Sequence, residues 1–233
     1  MNNWDGQRET LDDLAHAVHY NRWIYSLIQP YLGHRIIEIG CGTGNITEFF
    51  DDKYVVLATD IHDGYLKTAQ TRLNFKSNIT FEKVDLEKGL QPLKQFKPET
   101  LICINVLEHV LNDFKIIQDG FRILEPGGKF LIFVPALQKI FGSMDISYGH
   151  FRRYSKKQLS NLFMKNGFEI QVCEYLNLIG VVGWWFNGQV LKRTIIPKIQ
   201  MIIYDQMIRW MAPIGNKIPK PFGLSLFCVG VKR

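Results

Sequence analysis

The chain has 233 residues, enough for one α/β domain with an insertion or for two small domains. Its composition, 46% hydrophobic and 21% charged, excludes a disordered or collagen-like protein. The formal charge is 28 − 22 = +6, which favours anionic partners, but the basic residues are spread along the chain rather than clustered. A nucleic acid partner is therefore not favoured.

The four cysteines, Cys41, Cys103, Cys173 and Cys228, form no CxxC pair. Their spacing predicts neither a zinc site nor a disulfide framework and is typical of a cytoplasmic protein. The polar N-terminal ten residues predict no signal peptide, and residues 175–191 are too polar for a membrane span.

Predicted helices and strands alternate along the chain. Helices are predicted over residues 11–31, 45–50, 64–73 and 111–124, and a further one is capped by Ser155 and ended by Gly167. Strands are predicted over 35–39, 54–59, 79–84, 100–104, 129–134, 168–174 and 222–231. This alternation indicates an α/β fold with a parallel sheet and helices on both faces.

A glycine-rich turn follows the first strand in Glu38-Ile-Gly-Cys-Gly-Thr-Gly44. Glycines at these positions allow a tight turn and let a ligand approach the backbone. The second strand ends at Asp60, which can accept hydrogen bonds from ribose hydroxyls, and the third ends at Asp85, which can accept from an adenine amino group. The three features predict a ligand site at the carboxyl ends of the strands.

Two further motifs, Asn105-Val-Leu-Glu-His-Val110 and Leu124-Glu-Pro-Gly-Gly128, complete a pattern that resembles the class I S-adenosylmethionine (SAM)-dependent methyltransferases. The resemblance covers about residues 35–175 plus the last strand. It implies a Rossmann-like, mostly parallel sheet of seven strands whose last strand is antiparallel. It also implies SAM as cofactor, S-adenosylhomocysteine as product, and no metal.

The resemblance divides the chain into a helical cap (1–34), a SAM-binding domain (35–176 with 222–233) and an apolar insertion (177–221). The cofactor-binding residues that it implies are Tyr20, Glu38, Gly40, Cys41, Gly42, Gly44, Asp60, Ile61, Asp85, Leu86, Asn105 and Leu107.

The segment after the fourth strand bears on the acceptor. It reads Asn105-Val-Leu-Glu108 and lacks the Asn-Pro-Pro-aromatic motif usual in enzymes that methylate amino groups of nucleobases or glutamine. We therefore expect a small or lipid-like acceptor, methylated on a hydroxyl in preference to an amine or carboxylate. An RNA methyltransferase and a catalytically silent SAM-binding interaction protein are the alternatives.

Candidate catalytic residues lie in Tyr148-Gly-His-Phe-Arg-Arg-Tyr154, after the fifth strand. His150 is the candidate general base, with Arg152 and Tyr154 as further catalytic candidates. Acceptor-binding candidates are Tyr148, Arg153, His109 and Trp184. A purely structural loop, with arginines bonded to nearby carbonyls and the histidine as a hydrogen-bonded strut, is the alternative.

The insertion carries an apolar helical stripe, comprising Ile199, Ile202, Ile203, Met207, Trp210 and Met211, after the basic residues Lys192, Arg193 and Lys198. Three interpretations stay open: a lid over an apolar acceptor, a homodimer contact, and a helix on a membrane surface. The last would place a cytoplasmic protein at the inner face of the membrane.

Overall fold

The computed structural model describes residues 17–215 and 221–233, and within them a single sheet of seven strands. The strands are β1 (Arg35–Ile39), β2 (Val55–Asp60), β3 (Ile79–Lys83), β4 (Thr100–Ile104), β5 (Lys129–Pro135), β6 (Phe168–Leu176) and β7 (Ser225–Lys232). The helices are α1 (Val18–Ile28), α2 (Asp63–Arg72), α3 (Asp113–Ile123), α4 (Ser143–Ser147), α5 (Lys156–Lys165), α6 (Leu178–Trp185) and α7 (Lys198–Gly215).

The strand order is β3-β2-β1-β4-β5-β7-β6. The pairs β3–β2, β2–β1, β1–β4 and β4–β5 are parallel, whereas β7 runs antiparallel to both of its neighbours. The predicted seven-stranded, mostly parallel sheet with an antiparallel last strand is therefore confirmed. This order brings the carboxyl ends of β1, β2 and β4 side by side at one edge of the sheet.

Apolar side chains on both faces of the sheet form two hydrophobic layers. On one face α3 and α5 bury residues such as Ile116 and Phe163. On the other face α1 and α7 bury Trp23, Ile28 and Ile208. The predicted helices on both faces are confirmed, and both layers exclude water from beneath the strand ends.

Some predicted boundaries are wrong. The predicted helix over 45–50 is only a 3₁₀ turn, Thr47–Phe49, because the Thr47 hydroxyl donates 2.7 Å to the buried Glu38 carboxyl and holds the turn against β1. The last strand begins at Ser225 rather than at 222, since the backbone at Gly223 lies so close to Leu176 that a Cβ would stand 2.1 Å from its carbonyl oxygen.

The first helix also differs from its prediction. The described part, α1, ends at Ile28, and a 3₁₀ turn, Gln29–Tyr31, replaces its last turn at Pro30. Residues 11–16 of the predicted helix lie outside the described residues.

The insertion folds as α6, a π-helical turn (Phe186–Val190) and α7. Its predicted helical character is thereby confirmed. Within the described residues, no helix combines the length and hydropathy needed to cross a bilayer.

Two helical glycines provide a matched test of the packing. A Cβ on Gly120 in α3 would stand 2.5 Å from Phe130, whereas a Cβ on Gly64 in α2 would meet nothing within 4 Å. We expect Gly120→Ala to lower the free energy of unfolding by about 1–3 kcal/mol. Gly64→Ala should raise it by up to about 1 kcal/mol, because alanine loses less backbone entropy in a helix. Urea denaturation measures both, and equal stabilities would contradict the packing.

Candidate active site

The glycine-rich turn after β1 depends on left-handed backbone conformations. Gly40, Gly42 and Gly44 have φ angles of +73°, +55° and +85°. At Gly40 a Cβ would also lie 2.3 Å from a methyl group of Val106, which follows β4. The turn therefore needs glycine, and its absent side chain lets the ends of β1 and β4 approach each other.

Two carboxyl groups hold this turn from below. The oxygens of Asp60, at the end of β2, accept hydrogen bonds from the backbone of Gly42 and of His62, each at 2.9 Å. Each oxygen keeps a second lone pair, so the carboxylate can still accept from ribose hydroxyls. Glu38 lies buried under the turn, and its burial raises its pKa to about 8, against the lowering effect of the hydrogen bond from Thr47.

The other predicted cofactor residues follow the ends of β1, β2 and β3. Asp85 follows β3 and accepts from the backbone of Glu87 at 3.1 Å, while Leu86 next to it is half-buried. Ile61 is exposed directly after Asp60. The Cys41 thiol is buried, and burial raises its pKa, so it stays neutral.

The N-terminal helix meets the same edge of the sheet. The Tyr20 hydroxyl on α1 is hydrogen-bonded to the side chain of Asn105, and burial raises the pKa of Tyr20. Asn105 has a left-handed φ of +52°, and its backbone N–H donates 2.8 Å to Phe133 on β5. Leu107 is fully buried. The structure thus brings Tyr20 and the β4 motif together, beside the glycine turn.

A cluster of titratable groups adjoins this edge, formed by Glu108, His109 and His150. The Nε2 atom of His150 lies 3.9 Å from Oε1 of Glu108, and the two imidazole rings are 4.8 Å apart. Glu108 is fully buried and neither carboxyl oxygen has a hydrogen-bond partner. Burial raises its pKa to about 7, whereas burial and the charge of His150 lower the pKa of His109 to about 4.

The second ring nitrogen of His150 is held by Asp145, a fully buried residue of α4. One Asp145 oxygen is 2.8 Å from Nδ1 of His150 and 2.7 Å from Nε of Arg153. The other accepts from the backbone of Gly142 at 3.0 Å and from Nε1 of Trp184 at 3.2 Å. Burial alone would raise the pKa of Asp145, but the hydrogen bonds and charges of His150 and Arg153 hold it below its usual value.

This geometry determines which nitrogen of His150 is protonated. An ionised Asp145 can only accept hydrogen bonds, so Nδ1 of His150 must carry the proton. The neutral ring then presents an unprotonated Nε2 towards Glu108. Sequence reasoning missed both carboxyl groups as site residues, although Glu108 lay within the Asn105–Val110 motif. No motif in the sequence singled out Asp145.

Three residues of the predicted loop have internal partners. Arg153 is buried on Asp145 and donates 2.9 Å to the carbonyl of Ala136. Arg152 forms an ion pair with Asp113 at 2.9 Å, and the buried Tyr154 hydroxyl donates 2.9 Å to the same carboxylate. These contacts hold the loop in place, as the structural interpretation of the loop expects, and the catalytic and acceptor-binding roles of Arg152, Arg153 and Tyr154 stay predictions.

An aromatic pair, Tyr148 and Trp184, lies on one side of the Asp145 and His150 pair. The ring of Tyr148 is 6.0 Å from the ring of His150 and 6.0 Å from that of Trp184. Trp184 also stacks on the Arg153 guanidinium at 4.6 Å. Of the predicted acceptor-binding residues, Tyr148 thus lies beside the imidazole and Trp184 lies behind Tyr148.

The same cluster is the one group in the described chain that could hold a metal ion. Ligand atoms of Glu108, His109 and His150 all lie within 4.8 Å of one another. A carboxylate with two imidazoles is a donor set suited to divalent transition metals. The expectation that no metal is needed stays a prediction.

The buried Glu38 generates a test by pH. Its folded-state pKa of about 8 exceeds the ordinary value of 4.5, so the folded chain binds the extra proton. The contribution of Glu38 to the free energy of unfolding is therefore fully present below about pH 4.5. It is lost as the pH rises towards about 8. Between those limits we expect wild type to lose stability relative to Glu38→Gln by on the order of a few kcal/mol.

Urea titrations of cofactor-free protein at several pH values measure this difference. The exposed Glu82→Gln is the matched control, and its stability should follow the wild type at every pH. Parallel curves for wild type and Glu38→Gln would show that the Glu38 carboxyl is not protonated in the folded chain.

Known proteins resemble the chain in sequence and fold. A family described as a methyltransferase domain matches residues 9–172. The ubiquinone/menaquinone biosynthesis C-methyltransferase UbiE of Ectopseudomonas mendocina is 29% identical over 153 residues, 59% of this chain and 59% of that protein. The chain thus spans about three fifths of the length of this curated relative.

Solved structures share the fold. An S-adenosylmethionine-dependent methyltransferase from Mesorhizobium loti superposes with a TM-score of 0.61 at 15% identity, covering 90% of this chain and 96% of that one. A second structure is phosphoethanolamine N-methyltransferase 2 of Haemonchus contortus, solved in complex with S-adenosylmethionine. It superposes with a TM-score of 0.60 at 15% identity, covering 91% of this chain and 52% of that one. The chain therefore belongs to the methyltransferase domain family, and its fold is that of the class I SAM-dependent enzymes.

Proposed function

We propose that the protein transfers a methyl group from SAM to a hydroxyl-bearing small or lipid-like acceptor, with His150 as the proton acceptor. The observation that carries this proposal is the position of His150 between two buried carboxyl groups, Asp145 at Nδ1 and Glu108 near Nε2. A neutral imidazole with a free nitrogen beside aromatic side chains is suited to general-base catalysis.

The residues present fit SAM. The glycine turn allows close approach of a ligand to the backbone, and Asp60 keeps lone pairs for a ribose diol. Asp85 would accept from the adenine amino group, and Tyr20 with Asn105 would close the site from the α1 side. When bound, SAM supplies an electrophilic methyl group on a sulfonium.

The chain's own part in the reaction is to hold the acceptor and remove its proton. The acceptor hydroxyl would donate to Nε2 of His150, while Tyr148 and Trp184 pack against its apolar part. As the acceptor oxygen would bond to the methyl carbon and the methyl–sulfur bond would break, leaving the thioether S-adenosylhomocysteine, Nε2 of His150 would take the hydroxyl proton. The imidazolium so formed is stabilised by the negative charge of Asp145 at Nδ1, and Glu108 lies on the Nε2 side of the ring. The buried position also keeps water away from the reacting oxygen.

The name of one relative points to carbon as a second acceptor atom. The UbiE relative is named as a C-methyltransferase. Removing the proton of a phenol also makes its ring carbons nucleophilic, so the same base would serve methylation at carbon. The NMR spectrum of the product separates the two, since an O-methyl and a ring C-methyl have different carbon shifts.

Other acceptors and partners follow less directly from the geometry. An amine or carboxylate acceptor would need positioning rather than a base. An RNA acceptor would require binding that weakens steeply with salt, and a silent SAM-binding protein would show no turnover at all. The four cysteines are free and buried, which supports a reducing compartment such as the cytoplasm.

Replacing the base tests the proposal. We expect His150→Ala to lower kcat by at least about 100-fold, because the hydroxyl proton loses its acceptor. Transfer of tritiated methyl groups from SAM to phenols, catechols and long-chain alkylphenols measures this loss. Added imidazole should restore part of the activity.

Binding of SAM serves as the control. By calorimetry, His150→Ala should bind SAM within about twofold of wild type, whereas Asp60→Ala should bind at least about tenfold more weakly. His34→Ala, on the exposed residue before β1, should match wild type in both assays. Unchanged kcat in His150→Ala would contradict the assignment of His150 as the general base. Activity lost in EDTA and restored by a divalent cation would instead assign the cluster to a metal.

A further inference from the structure

The insertion presents its apolar side chains to solvent. Among the described residues, thirteen large apolar side chains between 178 and 210 are exposed. On α7, Ile199, Ile203 and Trp210 follow one another at helical spacing, and Ile199 and Trp210 are each 71% exposed. On α6 and the turn after it, Val182 and Phe186 form a similar stripe, with Val182 69% exposed. Exposed apolar surface of this extent marks an interaction site.

The opposite side of α7 explains why the stripe faces outward. Ile208 packs into the layer formed with α1, and the ring of Tyr204 lies 6.1 Å from that of Tyr20. The buried Asp205 accepts a hydrogen bond of 2.8 Å from the backbone of Tyr20 in the first turn of α1. These contacts fix the rotation of α7, so its apolar stripe cannot turn into the core.

The charges of the insertion select a partner. Residues 177–221 contain six basic residues and one acidic residue, a net charge of 6 − 1 = +5, while the whole chain has +6. The one acidic residue is the buried Asp205, so the outward surface described here combines apolar and cationic groups without an exposed carboxylate. A second copy of this chain would bring like charges together, whereas an anionic bilayer attracts them.

Exposed aromatic residues of the same insertion support this choice. Trp185 and Phe186 are about half exposed, and the Arg209 guanidinium lies 5.4 Å from the ring of the exposed Trp210. Tryptophan with adjacent cations is typical of helices that lie at the headgroup level of a membrane.

We propose that α6 and α7 dock the protein on a membrane surface containing anionic phospholipids. The apolar stripes enter the boundary between headgroups and acyl chains, and the basic side chains contact the lipid phosphates. Binding to vesicles is measured without turnover, so it is independent of the identity of the acceptor and of the role of His150.

Cosedimentation of the full chain with vesicles tests this proposal. Vesicles of phosphatidylcholine with about 30 mol% phosphatidylglycerol should bind at least about tenfold more protein than phosphatidylcholine alone. Raising NaCl from about 0.1 M to about 0.5 M should release most of it. The variants Val182→Asp and Ile203→Asp should each lower binding at least about tenfold.

Phe75→Asp is the matched control, because Phe75 is 73% exposed outside the insertion. It should bind vesicles as wild type does. SAM affinity and the thermal midpoint of Val182→Asp and Ile203→Asp should match those of wild type, which shows that they fold. Absence of binding, or equal binding to neutral and anionic vesicles, would overturn the proposal. A dimer in light scattering that Ile203→Asp dissociates, without vesicle binding, would assign the surface to a second copy.

Discussion

The carboxylate of Asp145 is the point on which the site depends. It is fully buried and has four donors: the backbone of Gly142 and the side chains of His150, Arg153 and Trp184. A buried charge is tolerated only when it is paired and hydrogen-bonded. Loss of any one of these donors therefore leaves the Asp145 carboxylate less well compensated. One anion therefore joins the loop after β5, the imidazole beside the β4 motif, and the insertion.

The cofactor side of the site depends on close backbone approach. Because Gly40 has no side chain, Val106 at the end of β4 packs directly on the turn after β1. In the same segment, Asn105 before Val106 is hydrogen-bonded to Tyr20, and Glu108 after it is buried beside His150. The backbone of Phe151 also donates 2.9 Å to the carbonyl of Glu108. The glycine turn and the cluster of Glu108 and His150 are thus consecutive parts of one packed edge.

Much of this arrangement was predictable from the sequence, and the reasons are local. The glycines, Asp60 and Asp85 occupy strand ends, and strands of a parallel sheet place those ends together whatever the tertiary detail. A structural role for this loop was one of two interpretations of the sequence, but the partners of Arg152, Arg153 and Tyr154 could not be predicted in this way. Exposed and buried arginines look the same in a sequence, and only the fold brings Asp145 and Asp113 to them. The sequence could not predict which face of α7 points outward for the same reason. That orientation is fixed by the contacts of Asp205 and Ile208 with α1.

The most direct test is the protonation of His150, which requires no acceptor. Long-range ¹H–¹⁵N NMR spectra of protein labelled at histidine, assigned with His150→Ala, report which ring nitrogen carries hydrogen. For the neutral ring we predict a proton on Nδ1, facing Asp145, and a bare Nε2. A neutral ring with its proton on Nε2 would contradict the assignment of His150 as the proton acceptor.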